Sequence, residues 1–168
     1  MKKIGILSDT HHTWDDRYAV HFKDCDEVWH AGDIGDMSIV RNLREVAGTV
    51  RAVSGNIDHG EVKRECDECM IFEIEGVRVL LTHIGGYPGK YSPGVKELLK
   101  KYGINLMICG HSHILKVIHD PDLNLLHVNP GAAGQHGWQK ERTLVRLTID
   151  AGNITDLEVI TLGKRPLI

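Results

Sequence analysis

The sequence predicts an α/β fold in which two mixed β-sheets pack face to face with helices on the outside. Three observations predict it. The chain has 168 residues, 42% of them hydrophobic and 26% charged, enough to bury one substantial core and to form a single domain over 1–168. Its first half alternates strand-like and helix-like runs, the pattern of parallel βαβ units. Its second half is mostly strand-like, with alternation such as Thr143-Leu144-Val145-Arg146-Leu147-Thr148-Ile149.

The elements follow in order. Residues 3–7 form a short apolar run that stops at a polar loop. Residues 15–23 read as a helix, with Asp15 or Asp16 near its N-terminus. A second strand, 27–31, ends at Gly32-Asp33. Within 37–46 the apolar residues fall at 39, 40, 43 and 46, which is helical spacing. The strand at 49–53 ends at Ser54-Gly55-Asn56. Runs 70–75 and 77–82 flank Gly76 and read as a hairpin. A helix over 93–102 is closed by Gly103. The strand at 105–109 ends at Gly110-His111-Ser112-His113, and runs 115–119, 125–128, 143–149 and 154–160 are further strands.

Composition excludes several classes. Twenty basic against 23 acidic residues give a net charge of −3, which argues against long nucleic acid or an anionic membrane surface as partner. No apolar run is longer than that at 106–109, whereas a membrane helix needs about 20 such residues. The apolar stretch after Lys2-Lys3 is too short for a signal peptide, so a cytoplasmic location is expected. There the cysteines at 25, 66, 69 and 109 should be free thiols. Cys66-Asp67-Glu68-Cys69 lacks the second pair of a zinc ribbon and runs into a strand, so it reads as structural.

The chemistry lies at the strand ends. Five strands run directly into groups that can bind metal: Asp9-Thr10-His11, Gly32-Asp33, Gly55-Asn56, Thr82-His83 and Gly110-His111-Ser112-His113. In open α/β sheets ligands bind beyond the carboxyl ends of the strands. Side by side, these ends would gather two carboxylates, one amide and four imidazoles, enough for two cations if one carboxylate bridges them. Two cations about 3.5–4 Å apart can hold phosphate oxygens and a hydroxide between them. Nitrogen and oxygen ligands without thiolate suit Mn²⁺, Fe²⁺ or Zn²⁺. The glycines before Asp33, Asn56 and His111 allow sharp turns beside the metals.

D-x-H, GD, GN, H and GHxH, in that order, resemble the calcineurin-like metallophosphoesterases. The short length and Asn129-Pro130-Gly131 are similar to their compact bacterial and archaeal phosphodiesterase branch. The resemblance implies a pair of packed mixed sheets flanked by helices. It implies Asp9, His11 and His113 at one metal, Asn56, His83 and His111 at the other, and Asp33 bridging. Asp9, Asp33, Asn56, His83 and His111 would act in catalysis through the metals, and Asn56 would also touch substrate. The cofactors implied are two divalent ions, Mn²⁺ before Fe, Zn or Ni. The implied reaction is attack by a metal-bridging hydroxide on a small phosphodiester. The alternative is a scaffold protein of the same fold with a vestigial metal site; completeness of the ligand set favours the enzyme. A homodimer is left open.

Other residues are candidates on weaker grounds. His12 adjoins His11 where the family usually has glycine, and could reach substrate or orient the ligands. His136 lies in the glycine-rich loop 131–137 and could contact substrate. Arg142, with Lys140, follows the glycine-rich loop and is a candidate for phosphate. Ile57 stands where many members carry a proton-donating histidine, so Asp58 and His59 are the substitutes to consider. His21, His30, His119 and His127 read as structural. The segment 85–91 fails the phosphate-loop pattern and reads as a loop rimming the site.

Overall fold

The computed structural model describes residues 1–164. Two five-stranded sheets form its centre. The first has the order β12-β11-β1-β2-β3, from Asn153–Lys164, Glu141–Asp150, Lys2–Leu7, Glu27–His30 and Thr49–Ala52. The second has the order β4-β5-β8-β10-β9, from Cys69–Ile74, Val77–Thr82, Leu106–Ile108, Leu125–Asn129 and Lys116–Asp120. Strands β1, β2 and β3 run parallel, as do β5, β8 and β10. Antiparallel partners (β11 on one sheet, β4 and β9 on the other) complete the mixed sheets.

The burial pattern explains the layers. Ile4 and Ile6 of β1 face the second sheet and meet Val79, Leu81, Leu106 and Ile108 there. On the opposite face, Leu7 and Val28 pack against Tyr18 and Phe22 of α1 (Asp16–Phe22) and Ile39, Val40 and Leu43 of α2 (Met37–Ala47). Leu80 and Met107 point outward onto Val95 and Leu99 of α4 (Val95–Lys101). Alternate strand residues thus serve different cores, as the period of two requires. The result is a helix–sheet–sheet–helix sandwich. Asp15 caps α1 by accepting from Arg17 N at 2.9 Å, and Asp36 caps α2 by accepting from Ser38 N at 2.7 Å.

Three elements depart from the expected pattern. Helix α3 (Gly60–Glu65) was not expected; it starts at a glycine, His59 gives its N-terminus no side-chain cap, and only Val62 is buried. The expected loop at 85–91 folds into a small hairpin, β6 (Gly86–Tyr87) and β7 (Lys90–Tyr91). Strands β11 and β12 extend beyond 143–149 and 154–160, since their mutual pairing continues past the apolar stretches, from Glu141↔Lys164 to Asp150↔Asn153. All four cysteines are free, with Cys66 facing Met37 rather than Cys69. No helix among the described residues is long and apolar enough to cross a membrane.

Candidate metal centre

The strand ends converge. Asp9, His11 and His113 bring one ligand atom each to within 4.8 Å of one another, and Asp33, His83 and His111 do the same beside them. Asn56 Oδ1 lies 3.0 Å from both His83 Nε2 and His111 Nδ1, so it joins the second group. Asp33 Oδ2 stands 3.4 Å from His11 Nε2 and 3.2 Å from His83 Nε2, between the two groups.

The loops that carry these residues are tightly specified. Asp9 (φ 55°), His11 (43°), Asp33 (53°), His111 (71°) and His113 (62°) all have left-handed backbone, which non-glycine residues adopt rarely and at functional sites. A Cβ on Gly55 would overlap the Asp33 carboxylate and backbone nitrogen. Asp58 accepts from Gly55 N at 2.7 Å, Gly35 N at 2.8 Å and Ile34 N at 3.1 Å, tying the loop after β2 to the loop after β3.

Groups outside the motifs orient the imidazoles. Gln139 donates its amide N–H to His136 O at 2.7 Å, so its oxygen accepts His113 Nδ1–H at 2.8 Å. That turns His113 Nε2 towards Asp9 Oδ1 at 3.1 Å. His83 Nδ1–H likewise donates to Ala31 O at 2.7 Å, and its Nε2 faces Asp33. Buried His30 takes the Gly32 N–H on Nδ1 at 3.1 Å. Its Nε2–H donates to Thr10 Oγ1 at 3.0 Å, since that hydroxyl donates to Ile34 O. The ring is thereby held neutral between the loops after β1 and β2, and burial pushes its pKa down to about 4. Spacing alone carries no signal for Gln139 or for the three bonds of Asp58.

The electrostatics ask for positive charge. Asp9 Oδ1 and His11 Nε2 are buried without a hydrogen-bond partner. Burial would raise the Asp9 and Asp33 carboxyls, but the imidazoles around them outweigh it and hold both well below the usual range. For His11 burial works downward, and Asp33 and Asp9 reverse it, lifting the ring to about 9. Two buried carboxylates ringed by imidazole nitrogens are a donor set that divalent cations satisfy. Protons and cations compete there for the same lone pairs.

The remaining candidates divide. His136 stacks on His11, ring centroids 4.7 Å apart, at the mouth of the site. His12 is exposed and packs its ring against Gly35. His59 is exposed at the start of α3, its Nδ1 3.2 Å from Ile57 O. Arg142 is not available to substrate: it is 3% exposed and binds Ala133 O, Asp15 and the Tyr18 hydroxyl. It is a buried cation that locks α1 to β11, because burial without those partners would be prohibitive. Asp58 is similarly committed to backbone N–H groups and is no proton donor to a leaving group.

Residues 1–152 match the family model of the calcineurin-like phosphoesterase superfamily domain. A curated relative, a probable metallophosphoesterase of Methanothermobacter thermautotrophicus, is 33% identical over 95% of this chain and 92% of its own. Among solved structures, an archaeal phosphodiesterase superposes with a TM-score of 0.71 at 23% identity, over 95% of this chain and 99% of that one. Vps29 of Chaetomium thermophilum superposes with a TM-score of 0.75 at 14% identity, over 99% and 100%. The structural likenesses bear on the fold, and the sequence matches carry the family: the chain belongs to the calcineurin-like phosphoesterase superfamily.

Proposed function

We propose that this protein is a binuclear metal-dependent phosphodiesterase acting on a small phosphodiester. One observation carries the reading: Asp33 reaches both ligand groups, so one carboxylate can bridge two cations while Asp9, His11 and His113 complete one and Asn56, His83 and His111 the other. When bound, divalent cations supply Lewis-acid stabilisation of phosphate charge and lower the pKa of water.

The chain's own residues do the rest. Gln139 and the Ala31 carbonyl present the Nε2 atoms of His113 and His83 towards the carboxylates. Asp58 fixes the loops that hold Asp33 and Asn56. Ile57 donates its backbone N–H to Asp33 Oδ1 at 3.0 Å, and its side chain offers the leaving group no proton. A diester is favoured over a monoester because Arg142 is buried in structural contacts rather than free to bind a dianion.

The test is cation-free protein reloaded with Mn²⁺, Fe²⁺, Ni²⁺ or Zn²⁺ and assayed against phosphodiesters and monoesters. Two ions bound per chain and hydrolysis of diesters, foremost with Mn²⁺, are expected. A protein that binds no cation and hydrolyses no ester would overturn the reading and leave a binding protein of this fold.

A further inference from the structure

Two clefts flank the second ligand group, and they differ in charge. The larger, about 310 Å³, is lined by Asn56, His83, Lys63 and Glu68, and its lysine is neutralised by ion pairing with that glutamate. The smaller, about 150 Å³, lies between the β6–β7 hairpin and the loop after β8; Tyr87, Ser92, His111, Ser112 and Lys116 line it. Arg41, Arg51, Arg78 and Lys63 each pair with a glutamate, whereas Lys116 has no carboxylate partner among the described residues. Its ammonium sits 3.7 Å over the Tyr87 ring, which orders the charge without neutralising it.

A second group points the same way. Ser112 Oγ accepts from Ile114 N at 3.2 Å and from Asn129 Nδ2 at 3.1 Å. Both lone pairs are occupied, so the hydroxyl proton is left to donate. Ser112 stands between His111 and His113, so that donor is joined to the metal-binding loop itself. An ordered ammonium and a spare hydroxyl donor in one small cleft are complementary to a carboxylate or phosphate. At about 150 Å³ the cleft is below the usual size of a whole-ligand pocket and suits one substituent of a larger molecule.

We propose that this cleft, through Lys116 and Ser112, binds an anionic substituent on one ester arm of the substrate. The natural substrate is then a phosphodiester carrying a second anionic group, either carboxylate or phosphate. This inference rests on the phosphodiesterase reading and deepens it.

The experiment compares three 4-nitrophenyl diesters whose second arm is methyl, carboxyethyl or phosphoethyl, with the Mn²⁺-loaded protein. A charged hydrogen bond corresponds to roughly tenfold to a hundredfold, so one or both charged arms should exceed the methyl ester by that factor in kcat/KM, chiefly through KM. Which charged arm gains more identifies the anion. Lys116→Gln should erase the ratio, Lys116→Arg should restore most of it, and Lys101→Gln, over the Tyr102 ring on α4, should leave it unaltered. A ratio near one in the unmodified protein, or a ratio that survives Lys116→Gln, overturns the subsite. If no diester is turned over, the phosphodiesterase reading fails instead. The subsite is then decided by NMR on cation-free protein: millimolar phosphate or acetate should shift the Lys116 side-chain signals, and no shift overturns it.

Discussion

Asp58 holds the centre together without touching a ligand, and its removal has a calculable cost. Its carboxylate takes three backbone N–H groups, of Ile34, Gly35 and Gly55. In Asp58→Ala the Ile34 and Gly55 donors stay buried with no partner, while Gly35 is half-buried and can turn to water. An orphaned buried donor costs about 1–3 kcal/mol, so two cost roughly 2–6 kcal/mol, a large part of a typical total of about 5–15 kcal/mol. Asp58→Asn is milder. Its oxygen can keep Ile34 and Gly55, which share Oδ2 in the native protein, and its amide then opposes only Gly35 N–H. That substitution should cost about 1–3 kcal/mol. Urea unfolding of cation-free protein is the assay, since bound metal would add its own stabilisation. Equal losses in the two variants, or losses below about 0.5 kcal/mol in both, would refute the reasoning.

Four further outcomes are expected. Because Asp33 and Asp9 lift His11 to about 9 against its burial, cation binding must displace a proton; calorimetric affinity should rise with pH up to about that value, and a flat profile from pH 6 to 9 would remove His11 from the ligands. His30 is held neutral, with a pKa lowered from 6.5 to about 4, so stability should fall as pH drops through that window, by roughly 3 kcal/mol; His30→Gln should flatten this part of the urea profile, and an unchanged profile contradicts the assignment. Gly55→Ala should prevent normal cation loading by displacing Asp33, which elemental analysis reads directly; two ions retained at native affinity would mean that the loop yields freely. With Ile57 unable to donate a proton, rates across diesters of graded leaving-group pKa should fall steeply, and Ile57→His should flatten the slope; a shallow slope in the unmodified protein that becomes steep in His59→Ala would make His59 the acid.

The convergence of the candidate ligands was legible because these residues end strands. Parallel β1, β2 and β3 in one sheet, and β5 and β8 in the other, bring their carboxyl ends together, so a one-dimensional list of strand ends maps onto one place. The two packed sheets were legible from the strand-rich second half, as at 143–149, whereas the assignment of Ile4 and Ile6 to one core and of Leu80 and Met107 to another came from the structure. What escaped depends on side-chain partners across long separations. Arg142 looked available beside the motifs, but Asp15, 127 residues earlier, claims it. Asp58 stood beside Ile57 as a possible substitute, but the three backbone donors that tie it into the loops lie outside what spacing shows. Lys116 sits on a strand after the last motif, and only the β6–β7 hairpin, through Tyr87, makes it part of a cleft. Helix α3 escaped because its start lacks a side-chain cap and most of its residues face solvent.

The left-handed backbone at Asp9, His11, Asp33, His111 and His113 has an evolutionary consequence. Each such residue carries a conformational penalty of about 1 kcal/mol or more that glycine would not. The five residues together therefore hold roughly 5 kcal/mol of backbone strain at the candidate centre. Glycine at His111, the exposed member of the set, should relieve that penalty in the cation-free chain while removing an imidazole. A library screened only for heat resistance should accumulate such replacements in the centre first, and one screened for turnover should purge them.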